Sequence, residues 1–177
     1  MFSNPMSVVK KLGIMPGMSI ADVGSGAGEY SIALAKATGQ PGRVYVVDVQ
    51  KDMLAMVKKK ASQEGIGTIE VVWGDVEKQG GAGLADNSVE ISLLANVLFQ
   101  LENKKSAVQE VARITKPNGK IAIVDWMDSF GGLGPKQTDV ISSEMAENLF
   151  KEAGFEKVSE FDAGDHHYGL IMQKKTS

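Results

Sequence analysis

The length of 177 residues allows one domain with a sheet covered by helices but not two full-sized domains, so we expect one core and one site. A net charge of −3 argues against a nucleic-acid partner, and the absence of cysteine excludes disulfides, thiolate metal sites and cysteine nucleophiles. The start shows no secretory signal pattern, and no run of about 18 apolar residues occurs, which predicts a cytoplasmic protein without a membrane span.

Short β-rich segments alternate with helical patterns, which predicts crossover units of a mostly parallel sheet in a single domain over residues 1–177. A lead-in segment, 1–18, precedes the predicted elements, which in chain order are strand 19–23, helix 29–38, strand 43–49, helix 51–64, strand 68–73, strand 89–95, helix 102–115, strand 120–126 and a helix from Ser142 to Gly154. Strands 155–162 and 167–174 are too close together for a helix between them. We therefore expect them to form an antiparallel hairpin.

Three local patterns predict how these elements pack. Residues 117–119, Pro-Asn-Gly, are expected to turn the chain into the fifth strand. Lysines 58–60 are expected on the solvated outer face of their helix. The last helix is expected to face the core through four apolar residues: Met145, Ala146, Leu149 and Ala153.

A glycine-rich turn follows the first strand, in the segment ADVGSGAGEY. Glycine allows a ligand to approach the backbone, so Gly24, Gly26 and Gly28 predict either a nucleotide-like ligand or a turn used only for helix packing. The dinucleotide fingerprint G-x-G-x-x-G fails in both registers, because Glu29 and Ser31 stand in place of its third glycine. The turn therefore favours a ligand without a pyrophosphate.

Acidic residues mark the first three predicted strands. Asp22 lies two residues before Gly24, and Asp48 closes the second strand, where a carboxylate can accept both hydroxyls of a ribose. Gly74, Asp75 and Val76 follow the third strand, where a carboxylate and an apolar neighbour could hold an adenine. Asp48 or Asp75, taken alone, could be a helix cap or part of a solvated turn. Their joint placement favours an adenosine site.

These segments resemble the class I S-adenosylmethionine-dependent methyltransferases, most closely small UbiE-like enzymes. ADVGSGAGEY resembles the first motif of the family, VYVVDVQKDML its ribose region and VVWGDVEK its adenine region, while SLLANVLFQL and RITKPNGKIAIVDW resemble the segments around strands four and five. The resemblance implies a Rossmann-like α/β fold, with a seven-stranded sheet of order 3-2-1-4-5-7-6, strand 7 antiparallel and helices on both faces. It also implies S-adenosylmethionine as cofactor, bound by Asp22, Gly24, Ser25, Gly26, Gly28, Tyr30, Asp48, Val49, Met53, Gly74, Asp75, Val76, Ala95, Asn96 and Val97.

The implied activity is methyl transfer to a small-molecule acceptor by in-line displacement, with S-adenosylhomocysteine as product. Two features depart from the family pattern. Many relatives carry a histidine after strand four, where this sequence has Phe99 and Gln100. Relatives often also have a longer N-terminal region that closes over the acceptor, so the site here could be open or completed by another chain. A non-catalytic S-adenosylmethionine-binding module remains an alternative, as does a nicotinamide-dependent oxidoreductase, which the glycine spacing disfavours.

The acceptor is expected at the carboxyl ends of strands four and five and at the start of the last strand. Candidates for a catalytic role are Asp128, His166 and His167, and candidates for substrate contact are Phe99, Trp126, Met127 and His167. A solvated hairpin turn would also explain the histidines, and packing would explain Trp126. Residues 130–135 could form a lid or a passive connection. We assign no metal ligands.

Overall fold

The computed structural model describes residues 3–132 and 134–176, which form a seven-stranded sheet with helices on both faces. The strands are β1 (Ser19–Val23), β2 (Arg43–Asp48), β3 (Ile69–Trp73), β4 (Val89–Ala95), β5 (Thr115–Trp126), β6 (Phe155–Gly164) and β7 (His167–Lys174). The helices are α1 (Pro5–Val9), α2 (Glu29–Thr38), α3 (Lys51–Gln63), α4 (Lys104–Ile114) and α5 (Ser143–Glu152).

The strand order is β3-β2-β1-β4-β5-β7-β6, which confirms the predicted topology. β1 to β5 run parallel to their neighbours, and β7 is antiparallel to both β5 and β6. Val23 at the end of β1 lies beside Val47 of β2 and Leu94 of β4. The carboxyl ends of the parallel strands therefore meet at one edge of the sheet, together with the start of β7.

The central strands of the sheet are buried on both faces because most of their residues are apolar. α1, α2 and α3 pack on one face around Leu34 and Val57, and α4 and α5 pack on the other around Val111 and Phe150. Full burial of each such aliphatic or aromatic side chain stabilises the fold by about 2 kcal/mol. None of the helices within the described ranges is long and apolar enough to cross a membrane.

The lead-in segment belongs to one of these helix layers. Asn4 caps α1 by accepting the N–H of Ser7 at 3.1 Å, and Pro5 occupies the first turn, where proline is tolerated. Val8, Val9 and Leu12 are buried against α2. The predicted lead-in also includes residues 1 and 2, which lie outside the described residues.

The fifth strand begins earlier than predicted. Thr115 already pairs with Val89, and the register shifts before Lys120 pairs with Ile91, so residues 117–119 form an irregularity within β5 rather than a turn ahead of it. α4 is correspondingly shorter than the predicted helix. It begins after Asn103, whose side chain accepts the N–H of Ser106 at 3.1 Å. Asn118 has a left-handed backbone, with φ of 61°, but the strand continues through it and pairs again with β4 at Lys120.

The packing face of α5 also differs from its prediction. Met145 is 51% exposed, and the buried residues of α5 are Ala146 and Phe150, with Leu149 and Ala153 partly buried beside them. Met145 lies in the first turn of α5, where its N–H donates to the hydroxyl of the capping residue Ser142 at 3.2 Å. The prediction was wrong for Met145 because the apolar face is narrower than its sequence pattern.

Candidate active site

The glycine turn connects β1 to α2 and lies against the end of β2. The N–H of Gly24 donates to the carbonyl of Val47 at 2.7 Å. All three glycines have positive φ, but only two conflict with a neighbour: a Cβ on Gly24 would meet Val97 at 2.6 Å and one on Gly28 would meet Val57 at 2.7 Å. A Cβ on Gly26 would meet no atom within 4 Å. Gly28 therefore serves helix packing, whereas Gly26 borders open space.

Asp48 links this turn to the end of β2. Its Oδ2 accepts the N–H of Gly26 at 3.0 Å, and its Oδ1 accepts the N–H of Gln50 at 2.8 Å. The residue is only 6% exposed. A carboxylate offers about four acceptor positions, so about two remain for hydroxyl groups of a ligand. Asp48 is thus fixed in place with acceptor capacity to spare.

Asp75 and Val76 follow β3. Oδ1 of Asp75 accepts the N–H of Glu77 at 3.0 Å, and Oδ2 lies 2.9 Å from the ammonium of Lys78. The hydrogen bond from Lys78 holds the pKa of Asp75 below its ordinary value, so this carboxyl is an acceptor at neutral pH. Val76 is buried next to it.

A cavity of about 240 Å³ opens among these strand ends. It is lined by eight of the predicted cofactor-binding residues: Gly24, Gly26, Asp48, Val49, Gly74, Asp75, Val76 and Val97. It is also lined by six residues that sequence reasoning did not assign: Val23, Val47, Gln50, Glu77, Gln100 and Leu101. Carboxylates for hydroxyl and amino groups, apolar walls and the open space above Gly26 together fit an adenosyl group.

Other predicted cofactor residues lie outside that lining. Tyr30 and Gly28 are buried, Ala95 packs partly into the core, and Ser25 and Met53 are partly exposed. They lie beside the cavity lining rather than in it.

Asp22 lies buried at the end of β1, just before the glycine turn. It is 1% exposed, and the hydroxyl of Ser31 donates to its Oδ2 at 2.6 Å. Burial raises the pKa of Asp22 to about 7, although the bond from Ser31 lowers it. Asp22 therefore joins the end of β1 to the first turn of α2.

Lys60, on α3, contacts the glycine turn and the start of α2. Its ammonium donates to the carbonyl of Ala27 at 2.7 Å and to the carboxylate of Glu29 at 2.6 Å. The prediction that lysines 58–60 are simply solvated is therefore wrong for Lys60. The sequence pattern gave no signal for this contact, because α3 and the turn meet only in the fold.

The acceptor side contains a buried group around the start of β7. His167 is 1% exposed, its Nδ1 lies 2.8 Å from the carbonyl of Asp165, and its Nε2 lies 3.0 Å from Oδ1 of Asn96. Its ring packs on Trp126 with centroids 4.3 Å apart. Asn96 has a left-handed backbone, with φ of 60°. His167 thus braces the end of β4 instead of facing open space.

His166 and Asp128 form a second, more exposed group. Nδ1 of His166 lies 2.8 and 3.0 Å from the two carboxylate oxygens of Asp128, and its ring stacks on Phe130 at 4.1 Å between centroids. Met127, next to Asp128, is 52% exposed. The structure therefore brings together two of the three predicted catalytic candidates, His166 and Asp128, at a distance of 38 residues along the chain.

The connection after β5 packs on these side chains. Phe130 stacks on the ring of His166. Gly134 lies against the ring of Trp126, because a Cβ added to Gly134 would lie only 2.8 Å from atoms of that ring. Trp126 is 9% exposed, and Phe99 packs partly into the core. Leu133, part of the predicted lid, lies outside the described residues.

Asp125, which sequence reasoning did not single out, lies under the segment that follows β4. It is fully buried and accepts the N–H of Trp126 at 2.9 Å. Burial raises the pKa of Asp125 to about 6. Hydrogen bonds from the backbone N–H groups of Trp126, Phe99 and Leu98 lower this pKa, but their effect is smaller than that of burial. Its neighbourhood includes the 3₁₀ turn Leu98–Gln100, whose Gln100 lines the cavity.

The family described as "Methyltransferase domain" matches residues 21–123. This range is more than half of the chain and contains the glycine turn, Asp48, Asp75 and β4. The match therefore covers the whole cofactor side of the candidate site.

Among curated proteins, the chain is 29% identical over 121 residues to the ubiquinone/menaquinone biosynthesis C-methyltransferase UbiE of Cupriavidus taiwanensis. The alignment covers 68% of this chain and 48% of that protein. The chain thus spans about half the length of the curated relatives it matches.

Solved structures share the fold over nearly the whole chain. A SAM-dependent methyltransferase from Aquifex aeolicus superposes with a TM-score of 0.87 and 29% identity, covering 97% of this chain and 90% of that one. A putative type 11 methyltransferase from Sulfolobus solfataricus gives a TM-score of 0.79 over 100% of this chain and 95% of that one. Its identity of 24% supports the fold alone.

Proposed function

Because the chain belongs to the methyltransferase domain family, whose cofactor is S-adenosylmethionine, we propose that it transfers the methyl group of this cofactor to a small-molecule acceptor. The product on the donor side is S-adenosylhomocysteine. Transfer is an in-line displacement at the methyl carbon. No covalent intermediate with the protein is needed, because the sulfonium supplies an activated methyl group.

One observation carries this proposal: Asp48 is fixed by Gly26 and Gln50 at the edge of a cavity that lies directly above Gly26. The remaining acceptor positions of Asp48 suit the two hydroxyls of a ribose. Open space above Gly26 suits a ligand that approaches the backbone. The dinucleotide fingerprint needs a third glycine for close packing of its helix on the strand, and Glu29 or Ser31 occupies that place.

The protein contributes mainly position in this proposal. Asp48 would orient the ribose, Asp75 and Val76 would hold the base, and Val97 would limit the space over the glycine turn. Holding two reactants in a productive geometry is worth effective molarities of about 10⁵ M or more. The strand ends that hold the donor therefore account for much of the proposed rate enhancement.

The acceptor is proposed only as a class. The name of the Cupriavidus relative describes a C-methyltransferase of ubiquinone and menaquinone biosynthesis, but the alignment covers less than half of that protein. We propose that the acceptor is a small molecule, and we do not assign the quinone substrate of that relative to this chain. The cytoplasmic location and a role for a second copy of the chain remain predictions from the sequence.

The proposed function is tested by measuring S-adenosylhomocysteine release from S-adenosylmethionine in the presence of a panel of small hydroxylated, thiol and amine compounds. Release that depends on an added compound, with the methyl group recovered on that compound, is the expected result. Cofactor binding with no transfer to any compound would favour the non-catalytic binding module. Hydride exchange with a nicotinamide cofactor would favour an oxidoreductase instead.

A further inference from the structure

The pair formed by His166 and Asp128 has the geometry of an oriented imidazole. Both carboxylate oxygens of Asp128 lie within 3.0 Å of Nδ1, and a carboxylate can only accept a hydrogen bond. In the neutral form of the ring, Nδ1 therefore carries the proton and Nε2 has a lone pair. Within residues 3–132 and 134–176, Nε2 of His166 has no hydrogen-bond partner.

Two further features hold this ring in place. Phe130 stacks on it with an angle of 27° between the planes, which fixes the ring and shields one of its faces from water. His166 itself has a left-handed backbone, with φ of 64°, a conformation that costs a non-glycine residue on the order of 1 kcal/mol. A glycine would adopt this turn more easily, so the imidazole is present at a cost to stability.

The pair is connected to the cofactor cavity through the residue that follows His166. His167, the following residue, contacts Asn96, and Asn96 leads directly into Val97 in the cavity lining. Asp128 follows the end of β5, the neighbour of β4 in the sheet. Exposed Met127 and Phe130 provide an apolar surface beside the imidazole. This is the edge of the sheet where the acceptor is expected.

From this geometry we infer that His166, oriented by Asp128, is the general base of the reaction and that the acceptor carries a dissociable proton. The inference rests on the proposed function. The acceptor atom forms a bond to the methyl carbon, the electron pair of the broken carbon–sulfur bond stays on sulfur, and the acceptor proton passes to Nε2 of His166 and then to water. The acceptor is thus a hydroxyl, thiol or amine compound, or a carbon activated by an adjacent hydroxyl.

The segment that follows β4 offers no base at positions 99 and 100. Here Phe99 packs partly into the core and Gln100 donates its side-chain amide to the carbonyl of Asn96 at 2.6 Å, so neither can accept a proton from a substrate. The His166–Asp128 pair supplies that chemistry from the neighbouring strand ends. Positioned bases typically contribute about 10² to 10⁴ in rate.

The first experiment compares wild type with His166→Gln and His166→Gly on two phenols, 4-nitrophenol, which is largely ionised near neutral pH, and 4-methylphenol, which is not. We expect His166→Gln to lower kcat for 4-methylphenol about 100-fold or more and to affect 4-nitrophenol much less. Added imidazole should restore part of the activity of His166→Gly, whose backbone suits the turn. Asp139→Asn, an exposed carboxylate of the same connection, is the matched control.

A second readout does not depend on turnover. The chain has two histidines, so nitrogen NMR of the protein bound to S-adenosylhomocysteine, with His166→Gln for assignment, identifies the tautomer of each. We expect the Nδ1–H form at His166 in wild type and a mixture of tautomers in Asp128→Ala. Affinity for S-adenosylhomocysteine should stay within about threefold of wild type in all these variants.

Several results would overturn the inference. They are an equal loss on both phenols, no rescue by imidazole, or an Nε2–H tautomer in wild type. Failure of wild type to bind S-adenosylhomocysteine, or to methylate any compound in the panel, would instead overturn the proposed function. Binding and turnover of wild type therefore separate the two failures.

Discussion

On the cofactor side, the carboxylates at the ends of β2 and β3 accept backbone N–H groups, whereas on the acceptor side the main contacts join two side chains. Asp48 holds Gly26 and Gln50, and Asp75 holds Glu77. By contrast, Asp128 meets His166 and Asn96 meets His167. The contacts of the cofactor side depend on the conformation of the backbone. Those of the acceptor side depend on which side chains are present at the ends of different strands.

This difference suggests how one fold keeps its donor and changes its acceptor. Carboxylates tied to the backbone cannot be moved without changing the turn that they support. A pair of side chains at the ends of different strands can be replaced without altering the sheet. We therefore expect substitutions on the cofactor side to affect S-adenosylhomocysteine affinity strongly, and those on the acceptor side to affect it weakly.

The largest expected effect comes from Gly26→Ala. Its Cβ would occupy the open space of the cavity, so affinity for S-adenosylhomocysteine should fall at least about 100-fold, while unfolding free energy falls by about 1 kcal/mol because of the positive φ. Gly28→Ala is the matched control, since its Cβ meets Val57 and should lower stability more. Calorimetric titration and thermal unfolding measure both. Unchanged affinity in Gly26→Ala would break the comparison.

Asp48→Asn is expected to follow. An amide would present a donor to one of the two backbone N–H groups, so affinity should fall about 10- to 100-fold by titration with S-adenosylhomocysteine. Glu70→Gln on β3 is the control, because this carboxylate is 56% exposed and pairs only at the surface with Arg43. Equal affinities of the two variants would contradict the role of Asp48.

Asp22→Asn tests the pH dependence of the cofactor side. Because burial raises the pKa of Asp22 from 3.8 to about 7, the folded protein binds this proton more tightly than the unfolded chain. Its contribution to stability is full below pH 4 and is lost as pH rises through about 7. The unfolding free energy of wild type should thus fall by about 2 kcal/mol more than that of Asp22→Asn between pH 5 and pH 7. Parallel denaturation curves at both pH values would refute this.

The smallest effect is expected from Asn96→Gly on the acceptor side. Glycine accepts the left-handed backbone at this position but loses the contact with His167, so the two changes in stability partly cancel. Affinity for S-adenosylhomocysteine should change less than about fivefold. A loss as large as that of Asp48→Asn would show that the two sides of the site are not separable.

Local signals were sufficient for the strand ends of the cofactor side: apolar runs, the glycine spacing and an aspartate at or just after the end of a strand. The sheet order was implied by the resemblance to the methyltransferase family rather than by these signals. The same locality explains the error at β5, where Pro117, Asn118 and Gly119 signal a turn but β4 continues to pair around them. A single sequence does not reveal that pairing, because it depends on Val89 and Thr115 meeting in space.

The acceptor side was predictable only as a set of candidates. Strand direction placed His166, His167 and Asp128 at the correct edge of the sheet, but their partners followed from side-chain packing. His167 turned inward to Asn96, while His166 turned toward Asp128 and Phe130. Lys60 is a similar case on the other side, since a helix-face pattern cannot show which carbonyl a long side chain reaches.

The most direct test of the central claim is a calorimetric comparison of S-adenosylhomocysteine and NAD binding to the purified protein. A site with Asp48 at the ribose and without the dinucleotide glycine spacing predicts micromolar or tighter binding of S-adenosylhomocysteine and no measurable binding of NAD. It also predicts that Gly26→Ala loses the binding of S-adenosylhomocysteine. Preferential binding of NAD, or no binding of either compound, would contradict the assignment of this site.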